Sequence, residues 1–207
     1  MTRRRSYPAD IPFHLVHRGV DRQRVFFSDI DRARYLAELL VCSRRHNVDV
    51  HAYVLMDNHV HLLATAREDG GTSRMMRDLG RRYVPTLNAR RKRSGTLWSG
   101  RHYSAAVERD RQLLACYRYI ELNPVRARMV RHAGAFRWSS HRANALGTHD
   151  DLSSPHATYL SLGPNLAACR DAYACLFDAV AMAQDPIERE ASELRAALGP
   201  RHTAAAT

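Results

Sequence analysis

The chain has 207 residues, a formal net charge of +11, 45% hydrophobic and 26% charged side chains, and a pI of ≈ 10.1. That balance excludes a disordered chain, a fibre and a disulfide-stapled miniature, and it leaves room for one good core. No stretch approaches the ~20 apolar residues of a membrane span, so no membrane partner is expected. The residues after Arg3, Arg4 and Arg5 (Ser6-Tyr7-Pro8-Ala9-Asp10) supply no apolar core for a secretion signal.

Cys42, Cys116, Cys169 and Cys175 form no CxxC pair and read as reduced thiols of a cytoplasmic protein. Lys92 is the only lysine beside 31 arginines. Arginine forks onto phosphates bidentately, so the surface favours a nucleic acid. Residues 1–147 carry 28 basic and 13 acidic side chains, whereas 148–207 carry 4 and 8. The charge pattern therefore divides the chain into a basic body, 1–147, and an acidic, mainly helical extension, 148–207.

In chain order, 14–18 reads as a strand. Ser28 then caps a helix running to about Arg45, with Asp29 and Asp31 facing its positive end. Strands at 48–56 and 59–65 flank the Asp57-Asn58 turn as an antiparallel hairpin. Thr72 or Ser73 caps the next helix, which Pro85 is expected to kink or end. A basic loop covers 90–95, and 96–107 reads as a strand pair or irregular β-structure. A helix from Asp110 stops at Pro124, and tail helices are expected near 166–183 and 187–198. The order β-α-β-β-α-β-α points to an α+β fold near the ferredoxin-like arrangement, with one antiparallel sheet.

Two groups of residues carry chemistry. His59 and His61 stand two apart on the second hairpin strand, so both imidazoles point the same way, while Val60 and Leu62 point to the opposite face. With 12 His in the chain, about 0.7 such pairs arise by chance, so the spacing alone decides nothing. His14, His17, His51 and His102 read as solvated or structural, with a phosphate contact open to one of them. On the helix after Asp110, Leu113, Cys116, Tyr117 and Ile120 make an apolar stripe. Tyr117 is therefore a core residue. Tyr119 and Asn123 lie one turn apart on the flank of that stripe, at a boundary.

HAYVLMDNHVHLL (51–63), GTLWSGR (95–101) and YRYIELNPVRA (117–127) together resemble the REP-associated tyrosine transposases, single-tyrosine members of the HUH endonuclease superfamily. The resemblance covers most of 8–147, and LSSPHATYLSLG (152–163) is similar to an extension many members carry. It implies an HUH fold, ferredoxin-like or RRM-like. His59, His61 and Asn123 would hold Mg²⁺ or Mn²⁺, and Tyr119 would be the nucleophile that forms a 5′-phosphotyrosine. The substrates would be single-stranded DNA hairpins, the repetitive extragenic palindromes, handled by a monomer or homodimer beside the nucleoid. Candidate DNA readers are Arg3, Arg4, Arg5, Arg90, Arg91, Lys92, Arg93, Arg101 and Trp98, the last as a stacking platform or else a core residue. Rival readings are a hairpin-binding regulator without cleavage, a metal hydrolase using water, and an RRM-type RNA binder.

Overall fold

A computed structural model describes residues 7–178. Its core is β1 (Pro12–Arg18), α1 (Asp29–Arg45), β2 (Val48–Leu55), β3 (His59–Ala66), α2 (Gly71–Arg90) and β4 (Tyr103–Ala106). Then follow α3 (Asp110–Glu121), α4 (Asn123–Arg126), α5 (His141–Asn144), α6 (Ala157–Leu160) and α7 (Leu166–Asp178). The four strands form one antiparallel sheet in the order β2-β3-β1-β4. Together with the βαββαβ order this is the ferredoxin-like arrangement expected from the sequence.

The sheet is covered on both faces. Register pairs Val16 with His61 and Arg18 with His59, so His14, Val16 and Arg18 share a face with His59, His61 and Leu63. Helix α3 packs there. On the opposite face, Leu15, Val60 and Leu62 are buried beneath α1 and α2. Tyr35, Tyr83 and Trp98 meet as a cluster of rings on that side, and Tyr83 donates its hydroxyl to the Val25 carbonyl at 2.8 Å.

Two local expectations are corrected. Helix α2 begins at Gly71 behind a left-handed Gly70 (φ 72°) and has no Thr72 or Ser73 side-chain cap. A Cβ at Gly71 would come within 2.7 Å of the Ala66 Cβ, so the helix start is pressed against the end of β3 where only glycine fits. Pro85 does not end α2, which runs on to Arg90. The proline lies on the solvent side, where water can take the carbonyl its missing N–H leaves unbonded. Of the strand pair or irregular β-structure expected at 96–107, the irregular form is found, as the short strand β4 and an isolated bridge between Gly19 and Trp98.

The change in charge at 147 is not a break in packing. Tyr53 donates to Asp150 at 3.0 Å, His51 meets the Ser154 carbonyl at 2.7 Å, and Tyr159 donates to the Asn144 carbonyl. At the centre of these contacts is Glu121, fully buried on α3. Its carboxylate accepts from Ser140 (2.6 Å), Asn144 (2.8 Å), His141 (3.1 Å) and Tyr173 (2.9 Å). The expected helix at 166–183 is seen as α7 over its described part, and the one at 187–198 lies outside the described residues.

Candidate active site

The hairpin turn and the first residues of β3 set the two histidines. Asn58 donates its side-chain amide to the Arg22 carbonyl at 3.2 Å, which turns its oxygen toward His59. His59 Nδ1 donates to that oxygen at 2.6 Å. The ring proton is thereby placed on Nδ1, and Nε2 keeps the lone pair. His61 stands beside it, its ring centroid 4.9 Å away and nearly perpendicular. Burial, then the positive charge of Arg18, pushes the His59 imidazole down to about 3, against an opposing pull from Asp57. At neutral pH the ring is uncharged, so no proton competes with a cation for Nε2.

His14 joins them, which the sequence reading left aside as solvated or structural. It is fully buried and stacked on His61 at 5.1 Å, and its Nε2 lies 2.9 Å from His61 Nδ1. The available signal was parity: His14 and Arg18 lie on one face of β1, but nothing local says which strand that face will meet.

Helix α3 lays Tyr119 over this row. Its ring is edge-on to both His14 and His61, with centroids 5.7 Å away in each case. Tyr117, two residues earlier, points into the core as expected and accepts from the His156 backbone N–H at 3.2 Å. Tyr119 is more enclosed than the boundary position expected of it, with 4% exposure. The cover comes from Arg126, whose guanidinium lies 5.2 Å over the ring and whose Nη1 reaches the Tyr119 carbonyl at 3.4 Å. Arg18, buried beside His59, is electrostatically coupled to Tyr119. Arg18 and Arg126 are two further site residues the sequence reading did not name.

Asn123 donates Nδ2 to the Tyr119 carbonyl at 2.7 Å. That bond fixes which end of the amide is which, and it leaves Oδ1 as the group for a cation. Among the described residues no three His, Cys, Asp or Glu side chains gather as a metal group. A cation at this place would therefore take two imidazole nitrogens and one amide oxygen. Such a donor set is small and neutral, and the residues fit a divalent first-row ion that keeps positions for water or phosphate oxygens.

The model for the family described as Transposase IS200 like matches residues 9–123. The chain belongs to that family. Among solved structures, a REP-associated tyrosine transposase bound to a REP hairpin is similar to it, with a TM-score of 0.58, 19% identity, and coverage of 75% of this chain and 92% of that one. At that identity the likeness shows a shared fold. A crystal structure of a Deinococcus radiodurans R1 protein named as a transposase is 21% identical and covers 55% of this chain and 91% of that one, with a TM-score of 0.39. No curated protein sequence matches significantly. The IS200-like transposase family thus accounts for the stretch that ends at Asn123, with His59, His61 and Tyr119 inside it.

The DNA-reading candidates of this transposase fall in different places. Trp98 as a stacking platform is corrected: it is 7% exposed, stacked on His17 at 4.1 Å with Tyr35 and Tyr83 around it, and has no face to offer a base. Arg90 and Arg91 are exposed in part but brace the helices, both reaching the buried Asp31 carboxylate at 3.1 and 2.8 Å. Against burial, which pushes it up, the hydrogen bond and charge of Arg91, with the Phe27 N–H and Ser28, hold the Asp31 carboxyl below its usual range. Arg93 donates to Gln23 Oε1 and the Thr96 carbonyl, both at 3.3 Å. Lys92 and Arg101 are exposed. Arg3, Arg4 and Arg5 lie outside the described residues. No helix among the described residues is long and apolar enough to cross a membrane.

Proposed function

We propose that this transposase is a divalent-metal-dependent endonuclease and strand transferase for single-stranded DNA hairpins of the REP type, acting through Tyr119. The observation that carries the reading is the meeting of Tyr119 with His61 at 5.7 Å, Asn123 being tied to the same helix turn. His59 Nε2, His61 and Asn123 Oδ1 would hold Mg²⁺ or Mn²⁺. The bound cation would neutralise the scissile phosphate's oxygens and polarise its phosphorus.

The Tyr119 hydroxyl attacks phosphorus in line. A new O–P bond forms, the P–O3′ bond breaks, and the phenolic proton ends on the departing 3′ oxygen. The product is a 5′-phosphotyrosine that keeps the bond energy for rejoining. A phenol with an ordinary pKa near 10 is a weak nucleophile at pH 7. Arg126 over the ring, and Arg18 through its electrostatic interaction with Tyr119, supply positive charge near the phenol as it loses its proton. The similar REP-associated structure is bound to a REP hairpin, which supports that substrate class here. We place the protein in the cytoplasm, at the nucleoid, as a monomer or homodimer.

A second reading is a hairpin-binding regulator without cleavage, favoured by the 4% exposure of Tyr119 beneath Arg126. Labelled single-stranded hairpins incubated with Mn²⁺ or Mg²⁺ separate the two on denaturing gels. A protein–DNA adduct that needs metal, survives Tyr117→Phe and disappears in Tyr119→Phe and in EDTA supports the enzyme. Tight hairpin binding with no adduct in any lane selects the regulator.

A further inference from the structure

We propose that His14 is a positioning residue for the metal site: it accepts the Nδ1 proton of His61 and so sets the face and tautomer in which His61 meets a cation. The inference rests on the reading of His59 and His61 as metal ligands and goes beyond it to a residue outside the HxH pair. The two nitrogens are 2.9 Å apart, and both rings are buried. One proton lies between them, so one ring donates and the other accepts. A cation on His61 Nε2 requires the His61 proton on Nδ1, and then His14 Nε2 must be the acceptor.

The arrangement repeats what is built around the other ligand. His59 Nδ1 donates to Asn58 Oδ1, and Asn58 is itself pinned by the Arg22 carbonyl. Each histidine thus has its Nδ1 engaged by a fixed neighbour, an amide oxygen in one case and an imidazole nitrogen in the other. His14 is also a poor choice for packing alone. Its Nδ1 is buried with no hydrogen-bond partner among the described residues, a cost that phenylalanine in the same slot would not carry. What the imidazole offers at that place is the contact to His61.

Three variants and one spectrum test this. Long-range ¹H–¹⁵N NMR of the imidazoles reads the tautomers directly. With saturating Mg²⁺, His61 is expected to carry its proton on Nδ1, and a proton on Nε2 would overturn the proposal. Mn²⁺ affinity is then read by EPR on the full chain without DNA. His14→Phe keeps an aromatic ring but no acceptor, and is expected to weaken Mn²⁺ binding about 10–100-fold with Tm unchanged or raised. His14→Gln restores an acceptor and is expected within about threefold of the parent. A His14→Phe protein that binds Mn²⁺ like the parent sinks the idea, as does one rescued no better by Gln. His61→Ala separates the two levels. Mn²⁺ binding that is absent in the parent, or untouched by His61→Ala, overturns the metal reading itself and the inference with it.

Discussion

Asn123 follows Tyr119 by four residues and donates its side-chain amide to the Tyr119 carbonyl, so the amide is tied to the turn that carries the tyrosine. The bond spans the junction at Leu122, where α3 ends and α4 begins with Pro124 in its first turn. Proline has no N–H to continue the α3 ladder, and the amide secures the turn at which that ladder is interrupted.

Asn123→Ala removes both the clamp and the proposed ligand oxygen. Single-turnover cleavage of a labelled hairpin is expected to fall about a hundredfold or more, with hairpin binding in EDTA unchanged. Asn123→Asp keeps oxygen for the cation but loses the donor to the Tyr119 carbonyl. It should fall between the parent and Asn123→Ala in Mn²⁺ affinity. Equal rates for all three proteins would remove Asn123 from the site.

Tyr117 and Tyr119 should separate cleanly. Tyr117→Phe leaves the His156 backbone N–H without its acceptor and should cost about 1 kcal/mol in urea unfolding while adduct formation persists. Tyr119→Phe should leave the unfolding midpoint within about 1 kcal/mol of the parent and abolish the adduct.

Glu121 is the most heavily bonded side chain around α3. Truncation to alanine strands four buried donors and should cost about 3 kcal/mol or more, measured as a shift in urea midpoint. Tyr173→Phe removes one of the four and should cost about 1–2 kcal/mol. A double-mutant cycle between the two positions is expected to show coupling of about 1 kcal/mol. Additive losses would mean that α7 does not hold α3.

Acid should loosen the fold in a window set by its buried imidazoles. His51 is 3% exposed, bonded to Ser154 and Thr65, and pushed down to about 4, chiefly by burial. Its folded value lies below its unfolded value near 6.5, so the unfolded chain binds the proton first. Stability is complete above about pH 6.5 and is lost as pH falls toward 4, by on the order of 2–3 kcal/mol for this group. Urea midpoints measured from pH 7.5 to 4.5 should show this slope in the parent and a shallower one in His51→Gln.

What was legible in the sequence was local. Period-2 alternation placed His59 and His61 on one strand face, and the helix after Asp110 told Tyr117 from Tyr119. The element order carried the sheet. The rest depended on partners far along the chain. His14 belongs to the site only because β1 pairs with β3 in the register that sets Val16 beside His61, and no short window encodes that pairing. Arg90 and Arg91 read as a basic loop until the fold brings Asp31 to them, some sixty residues distant in sequence. Trp98 read equally as a platform or a core residue, and the rings of Tyr35 and Tyr83 decided for the core.

The stretch that matches the family ends at Asn123, yet the interactions do not end there. Ser140, His141, Asn144 and Tyr173 all reach back to Glu121, and bridges from Ser139 and Ser153 border β2. Excised at its familial limits, the segment would carry a naked carboxylate on α3 and bare backbone along β2, inviting another chain to pair with it. Heredity and mechanics draw the unit differently in this protein: the inherited signature is shorter than the piece that can stand alone.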